Sequence, residues 1–379
     1  GGLSESLRKF GIPALCCSDG PSGIRMDVGT KAFSLPNGTM LGCTFNTELV
    51  ELLYQMTGKE LRRFRIDALL GPGINIHRHP LNGRNFEYIS EDPLLTGKMG
   101  AAQIRGLNIV GATGTIKHFC GNNQEFARRT CNSIISERAL REIYLKGFEI
   151  SIKEGHARAV MTTYGAVNGL WTAGSYDLNT TILRNEWGFK GIVMSDWWAD
   201  ANVEGEDANV FCHAPMVRAQ NDLFMVCDDA TNIEIDDVWS KLKSGGIFRC
   251  ELQRNARNIL EFALKSPAML YELGLIEQEE IDEIKESVKD DEIAENIVYY
   301  KTDKHGTIII DGCEIESGKI GNINFGIELQ PRGAYDISIT MHSQLDELAQ
   351  LPVTVFYDSQ SKFTAAFRGT NGRSETKTG

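Results

Sequence analysis

The stretch GIVMSDWWAD, residues 191–200, passes from a short apolar run directly into a carboxylate and two indoles. Gly191–Met194 has the pattern of a buried strand, and Asp196 follows where that strand ends. An aspartate in this place is often only a strand terminator or a helix cap, and tryptophan often only packs in the core. The ends of the other strands decide between this structural role and a functional one.

Short apolar runs alternate with longer helical patterns from residue 12 to about 265. The alternation is typical of a parallel sheet flanked by helices, and it predicts an α/β fold. An open doubly wound sheet and a closed barrel both fit, although the visible strands are fewer than a complete (β/α)8 barrel needs. The predicted strands are Ile12–Cys17, Ala68–Ile76, Thr113–Phe119, Ala159–Tyr164, Gly191–Asp196 and Asp222–Cys227.

The pattern changes twice towards the end of the chain. Residues 266–300 are acidic with helical periodicity, and from residue 301 apolar side chains alternate with a period of two. We therefore predict an α/β domain over 1–265, an acidic helical linker over 266–300 and a small β-sandwich-like domain over 301–379. The closing stretch FRGTNGRSETKTG is interpreted as structural in preference to a carbohydrate-binding edge.

Composition excludes several classes of function. The formal net charge of −12 and the lack of a dense basic patch argue against binding to nucleic acid or an anionic membrane. No apolar run approaches the roughly 20 residues of a membrane span. The nine cysteines form no CxxC pair, which favours free thiols and a cytoplasmic location. Because the chain starts at Gly1 without a methionine or signal peptide, we expect residue 1 not to be the natural start.

Polar side chains follow most of the predicted strands at the point where each strand ends. In parallel α/β folds these ends share one edge, and loops there carry binding and catalysis. The sequence therefore predicts one shared site, and Asp196 belongs to it. The residues concerned are Asp19, the run His77-Arg78-His79, the pair Lys117-His118, Tyr164 and Asp196.

The residue types at this edge narrow the chemistry. No GxGxxG motif or Walker A loop is present, and the cysteines lack a catalytic partner pattern. His77 and His79 could face one metal ion only on an extended segment, so we favour ordinary polar packing and predict neither a metal nor a cofactor. A carboxylate among Arg, Lys, His, Tyr and Trp suits sugar hydroxyls and ring faces, which suggests glycoside hydrolysis.

Five ordered motifs resemble the β-glucosidases of glycoside hydrolase family 3, over about residues 10–230. They are SDGPSGIR (18–25), GPGINIHRHPLNGRNFEYISEDP (71–93), KHFCGNNQEFARR (117–129), SERALREIYLKGFE (136–149) and ILRNEWGFKGIVMSDWWA (182–199). The resemblance implies a TIM-like barrel and an exo-acting, retaining hydrolase of β-glucosides.

The resemblance also implies roles for individual residues. Asp196 would be the nucleophile, and we expect its pKa to be lowered by neighbouring Arg and Lys. Tyr164 would lie near the nucleophile and Trp197 would wall the site, while the sugar hydroxyls would be held by Asp19, Arg78, Lys117, His118 and Arg128. Arg84 would brace its loop through Glu87 or Glu91, with direct substrate contact as the alternative. Arg129 is expected to face away, and His213 has no role.

Two departures from the family pattern stand out. Gly165 occupies the place where the family usually has asparagine after the site tyrosine. The family's catalytic acid is a glutamate on an α/β sandwich domain, and no such domain is visible. We therefore expect the acid on a missing domain or subunit, with an acid from the loop holding Asp200, Glu204 and Glu206 as the weaker alternative. A homo-oligomer also stays open.

Other interpretations of the motifs remain. A β-N-acetylhexosaminidase of the same family would carry histidine in the motif KHFPGHG, whereas this chain has KHFCGNN. A β-xylosidase or arabinosidase specificity is harder to exclude. A non-catalytic glycan-binding fragment or subunit would explain the missing acid, but it would have no need of a nucleophile.

Overall fold

The computed structural model describes residues 10–26, 32–225, 236–276, 298–301, 303, 307–310, 325–328, 336–345, 350–357, 360–368 and 370–378. The chain divides into two compact units, of which the first holds the described residues up to 276 and the second those from 298 onward. The predicted boundaries at 265 and 300 stay a prediction. Most of the predicted acidic linker, residues 277–297, lies outside the described residues.

The first unit is built on a five-stranded parallel sheet. Its strands are β1 (Cys17–Asp19), β2 (Ala68–Leu70), β3 (Thr113–Phe119), β5 (Ala159–Thr162) and β8 (Ile192–Met194). They stand side by side in the order in which the chain reaches them. A further parallel bridge joins Met194 to Leu223 beyond the last strand. The predicted α/β class with a parallel sheet is confirmed.

A smaller three-stranded sheet lies outside this row. It contains β4 (Asn132–Ser133), β6 (Ala166–Val167) and β7 (Leu170–Trp171), with β6 in the middle. It joins the chain after β3 to the chain after β5, because β4 pairs with β6.

Helices connect the strands of the large sheet, and several begin at a residue that caps their free N–H groups. The side chains of Asn46, Asp92 and Ser266 accept such bonds, and Pro93 and Pro267 occupy first-turn positions, where proline is favoured. No helix in the described ranges is long and apolar enough to cross a bilayer. The helices are α1 (Gly38–Cys43), α2 (Thr47–Arg63), α3 (Pro93–Ile109), α4 (Glu137–Ala139), α5 (Lys146–Lys153), α6 (Ala214–Ala219), α7 (Val238–Ser244), α8 (Arg249–Ala263) and α9 (Pro267–Glu272), with π-helical segments Leu140–Tyr144 and Asp177–Glu186 and a 3₁₀ turn Thr172–Gly174.

The main core lies between the sheet and the helices α2, α3 and α5. Every residue of β3 is buried, as expected for a parallel strand covered on both faces. Phe119 at its end packs edge-on against Phe148 of α5, with ring centroids 5.2 Å apart. This packing fixes the position of the polar residues at the end of β3.

Three predicted strands differ clearly from the structure. Of the predicted strand Asp222–Cys227, the described residues 222–225 form only an isolated bridge at Leu223. The strand predicted over Ile12–Cys17 lies too early in the sequence, because β1 starts only at Cys17. Pro13 has no N–H to donate, and the Cys16 N–H goes instead to the Asp67 carboxylate, at 2.8 Å. The strand predicted over Ala68–Ile76 ends at Leu70, although pairing resumes at Gly73, which bridges to Lys117.

The second unit contains strands joined in pairs. β9 (Val298–Lys301) pairs in parallel with β10 (Phe325–Glu328), and antiparallel pairs join β11 (Ser338–His342) to β14 (Ser374–Thr378) and β12 (Gln350–Tyr357) to β13 (Gln360–Arg368). β14 places residues 374–378 of the closing stretch in a strand, and the structural interpretation of that stretch stays a prediction. Residues 307–310, which fall in the region where the period of two predicts strands, are not in a strand. A sandwich of two packed sheets stays a prediction.

Candidate active site

The predicted polar residues gather at the carboxyl end of the large sheet. Asp19 ends β1, Tyr164 and Asp196 each come two residues after the end of a strand, and Lys117 and His118 lie near the end of β3. Successive residues of a regular strand point to opposite faces. The pairing of β3 with β5 shifts between Lys117 and Phe119, and such an irregularity re-aims side chains, so both Lys117 and His118 serve this edge.

Lys117 and Asp19 form an ion pair across the sheet. The Lys117 Nζ atom lies 2.5 Å from Asp19 Oδ1. The lysine side chain is 3% exposed, whereas that of Asp19 is 44% exposed. The pair therefore presents a carboxylate to the outside, backed by a buried positive charge.

His118 is buried next to Asp196. Its Nε2 atom lies 3.7 Å from Asp196 Oδ2, which is longer than a hydrogen bond. Burial, with the charges of Arg84, Lys117 and Arg128, holds the pKa of His118 well below its usual range. The imidazole is therefore neutral, and its contact with Asp196 is polar and not an ion pair. Asn75 braces it, because its side chain bonds both the N–H and the C=O of His118, at 2.8 and 2.9 Å.

Asp196 is held by two donors and is largely buried. Its Oδ1 accepts the Trp197 N–H at 2.7 Å, and the Tyr164 hydroxyl donates to the same carboxylate. Burial nevertheless raises the pKa of Asp196 above its ordinary value, although Trp197, Lys117 and Tyr164 act in the opposite direction. The expected lowering of this pKa is therefore wrong, because the cost of desolvating the carboxylate exceeds the stabilisation by its neighbours.

Tyr164 lies between two arginines of the loop after β3. The guanidinium carbons of Arg128 and Arg129 lie 4.6 and 4.7 Å from the centre of its ring. The expectation that Arg129 faces away is wrong, because Arg129 also donates to the Trp198 carbonyl oxygen and lies 3.5 Å from Asp200. Burial and the negative charge of Asp196 raise the pKa of Tyr164 to about 12, so the hydroxyl keeps its proton.

Gly165 brings this arginine loop close to the tyrosine. A Cβ atom on Gly165 would lie 3.1 Å from the carbonyl oxygen of Cys131 and 3.3 Å from that of Arg128. These distances are tighter than most real contacts of a Cβ atom. The missing side chain therefore lets the backbone of residues 128–131 pack directly on the segment that carries Tyr164.

The two arginines of the second motif occupy different environments. Arg84 is largely buried and pairs with Glu87 at 2.5 Å, as expected of a brace, and its charge also acts on Asp196 and His118. Arg78 is exposed, and among the described residues its guanidinium has no hydrogen-bonded or ionic partner. The positive charge of Arg84 therefore tends to lower the pKa of Asp196, whereas Arg78 is not among the charges that act on this carboxylate.

Other features of the first unit lie away from this site. Two cavities, of about 460 and 410 Å³, border residues that precede strands β2, β5 and β8, at the opposite end of the sheet. No cluster of metal-ligating side chains occurs among the residues that the structure describes. His213 is buried 2.7 Å from Asp236 and stacks on Phe224, which gives it a structural role.

The sequence interpretation missed a group of three polar residues behind His118, of which Tyr88 and Asn122 are buried. Tyr88, Asn122 and Glu125 form a hydrogen-bonded series that ends at the imidazole. All three lie within motifs quoted above, but in loops without regular periodicity. The one available signal was that the amide of Asn122 and the hydroxyl of Tyr88 must find hydrogen-bond partners once they are buried.

Comparison with known proteins gives a consistent result. The sequence model for the Glycosyl hydrolase family 3 N terminal domain matches residues 3–262. A β-glucosidase of Ruminococcus albus is 52% identical over 378 residues, which cover 99% of this chain and 39% of the relative. β-Glucosidase A of Butyrivibrio fibrisolvens is 44% identical over 224 residues, 59% of this chain and 26% of the relative.

The solved structures that resemble this chain are also β-glucosidases. A β-glucosidase from Paenibacillus barengoltzii superposes with a TM-score of 0.70 at 44% identity, over 100% of this chain and 40% of that protein. β-Glucosidase 3B from Thermotoga neapolitana, in complex with glucose, gives 0.64 at 33% identity, over 81% of this chain and 44% of that protein. The chain thus spans less than half the length of these relatives.

Proposed function

The chain belongs to glycosyl hydrolase family 3, and from that premise we propose that it carries the nucleophile and sugar-binding part of an exo-acting, retaining β-glucosidase. A carboxylate oxygen of Asp196 attacks the anomeric carbon, and the bond to the leaving oxygen breaks with its electron pair. Water then hydrolyses the glycosyl-aspartate ester.

The proposal rests on one observation, which is that Asp196 is buried and oriented by hydrogen bonds. The Trp197 N–H fixes Oδ1 at 2.7 Å, and the Tyr164 hydroxyl donates to the same group. A carboxylate that is buried, oriented and only partly neutralised is suited to attack, since it has little water to shed. A site that only bound glycans would carry the desolvation cost of this carboxylate without needing a nucleophile.

The surrounding residues support a polar sugar site. We propose that Asp19, Lys117, His118 and Arg128 bind hydroxyls and that Trp197 forms a wall. Arg78 stays a predicted contact, and direct contact of Arg84 with the substrate stays the alternative, since Arg84 pairs with Glu87 and its charge also acts on Asp196 and His118.

We propose that the catalytic acid comes from a domain or subunit outside this sequence. Among the described residues, the nearby carboxyl groups of Glu87, Glu125 and Asp200 are each engaged by an arginine. Glu204 and Glu206 are exposed in the loop that follows the nucleophile. Retaining enzymes place the acid roughly 5–5.5 Å from the nucleophile.

The remaining proposals concern architecture and location. The strand order of the large sheet follows the chain without the reversal of a doubly wound fold, which supports a TIM-like barrel. We also propose a β-sandwich for the second unit and the cytoplasm as the location. A homo-oligomer is left to measurement.

A mechanism-based label tests the proposal. The chain is incubated with dinitrophenyl 2-deoxy-2-fluoro-β-glucoside, and peptides are mapped by mass spectrometry. We expect one fluoroglucosyl group on Asp196, none on the Asp196→Asn variant and full labelling of the control Asp207→Asn, which alters an exposed carboxylate nearby. Glucose binding without any label would favour the non-catalytic glycan-binding alternative. Faster labelling by the xyloside or by a hexosaminide would change the assigned sugar.

A further inference from the structure

A directed series of hydrogen bonds lies behind His118. Glu125 Oε1 lies 2.9 Å from Asn122 Nδ2, which lies 2.7 Å from the Tyr88 hydroxyl. That hydroxyl is 3.2 Å from Nδ1 of His118, whose other nitrogen faces Asp196. Tyr88 is fully buried, and Asn122 nearly so.

The partners of this series fix its direction. Glu125 pairs with Arg128 at 3.0 Å, so it is a carboxylate that only accepts. The Asn122 atom facing it must then be the amide nitrogen, which donates to both Glu125 and Tyr88. Since the Tyr88 oxygen already accepts from Asn122, its hydrogen is left for Nδ1 of His118. The opposite direction would leave that hydrogen buried without a partner, at a cost of about 1–3 kcal/mol.

The other side of the imidazole favours the same arrangement. A lone pair on Nε2 would face the Asp196 carboxylate at 3.7 Å, whereas an Nε2–H points a positive edge towards it. Two independent contacts therefore select one tautomer of the ring.

We propose that Tyr88, oriented by Asn122 and Glu125, is a positioning residue that locks His118 as the Nε2–H tautomer, so that the pocket meets a hydrogen-bond donor. A sugar hydroxyl can then accept from Nε2–H and keep its own hydrogen for a carboxylate such as Asp19. The consequence for substrate rests on the function proposed above, whereas the tautomer itself does not.

Nitrogen NMR tests the tautomer without any turnover. In the full chain labelled with ¹⁵N-histidine, two-bond ¹H–¹⁵N correlations distinguish a protonated from an unprotonated ring nitrogen, and His118→Gln assigns the signal among the seven histidines. We expect His118 of the wild type to be entirely Nε2–H. Tyr88→Phe should give a mixture of tautomers, since it removes the hydrogen bond at Nδ1, and the remaining contact of Nε2 with Asp196, at 3.7 Å, is longer than a hydrogen bond.

Asn122→Leu is the second variant, and it keeps the Tyr88 ring in the core. Without the amide, the Tyr88 hydroxyl can donate or accept, so the tautomers should again mix. Tyr54→Phe is the matched control, because Tyr54 is equally buried and its hydroxyl bonds the Pro21 carbonyl oxygen at 2.9 Å. It should lose comparable stability and keep a pure Nε2–H signal for His118.

Two results would overturn the proposal. One is an Nδ1–H signal in the wild type, and the other is a pure Nε2–H signal in both folded variants. In the supported case, kcat/KM on dinitrophenyl β-glucoside should fall about tenfold to a hundredfold in Tyr88→Phe. If the wild type cleaves no glucoside yet shows the expected tautomers, the proposed function fails and the role of Tyr88 stands.

Discussion

Nη1 of Arg129 lies 2.7 Å from the carbonyl oxygen of Trp198, in the loop that follows Asp196. The same guanidinium lies 3.5 Å from Asp200 and 4.7 Å from the centre of the Tyr164 ring. Arg129 thus ties the loop after β8 to the tyrosine that donates to Asp196.

We expect Arg129→Lys to weaken this tie, because lysine keeps the charge but has no planar fork of donors. The value of kcat/KM on dinitrophenyl β-glucoside should fall about tenfold or more, since charge-assisted bonds contribute about 1.5–3 kcal/mol. Thermal unfolding should change little. Arg138→Lys, at a side chain 85% exposed, is the control. Wild-type kinetics in Arg129→Lys would mean that the loop is held by other contacts.

The raised pKa of Asp196 predicts the acid limb of the pH profile. Asp196 must be ionised to attack, so the rate on dinitrophenyl β-glucoside should fall with a midpoint above the ordinary aspartate value of 3.8. Tyr164→Phe removes a bond that lowers this pKa, so the midpoint should move to higher pH. Tyr176→Phe, at a half-exposed ring, should leave it unchanged. A shift to lower pH in Tyr164→Phe would contradict the assigned hydrogen bond.

Lys117 should act on the substrate and not on a metal ion. Lys117→Met removes the charge behind Asp19, and we expect kcat/KM to fall by at least about a hundredfold, since contacts of this kind strengthen in the transition state. Wild-type activity should survive exhaustive treatment with a chelator. Activity that a chelator removes and a divalent metal restores would refute this assignment.

The leaving group should decide whether the chain is active by itself. A dinitrophenolate departs without a proton, whereas an alkoxide needs one from an acid. We therefore expect slow turnover of dinitrophenyl β-glucoside and almost none of an alkyl β-glucoside. High rates on both would show that this chain contains the acid, and Asp200→Asn would then be the first variant to measure.

The end of β8 is anchored by a buried ion pair. Asp222 is fully buried, lies 2.6 Å from Arg184 and accepts the Val193 N–H at 2.9 Å. Asp222→Ala leaves the buried guanidinium of Arg184 bonded to the carbonyl oxygens of Gly191 and Gln220 but without the carboxylate that balances its charge. The free energy of unfolding in urea should therefore fall by about 3–5 kcal/mol. Glu186→Ala breaks an exposed pair with Arg141 and should cost only a small part of that.

The sequence was informative where regular geometry carries the information. Asp19, Lys117, His118, Tyr164 and Asp196 could be grouped in advance, because the carboxyl ends of parallel strands share one edge. The family motifs added the chemistry, and the buried β3 was predicted over its full length.

Loop geometry and burial could not be predicted in the same way. Arg129 was expected to face away because neighbouring residues in regular structure diverge, but the loop after β3 follows no such period. The pKa of Asp196 depends on how far segments distant in the chain exclude water from it. The role of Tyr88 could not be predicted because it depends on hydrogen bonds to residues that lie 30 and 34 positions further along the chain.

The closeness of Gly165 to the carbonyl oxygens of Arg128 and Cys131 constrains how this sequence can evolve. An asparagine at residue 165, which the resemblance to the family would lead one to expect, would require the backbone of residues 128–131 to move by a few tenths of an ångström, and with it both arginines beside Tyr164. A lineage that crosses between the two residues must first, or at the same time, alter the path of that loop. Residue 165 and the loop of residues 128–131 should therefore change together in evolution. A chimaera that exchanges only one of them should be less stable or less active than either parent.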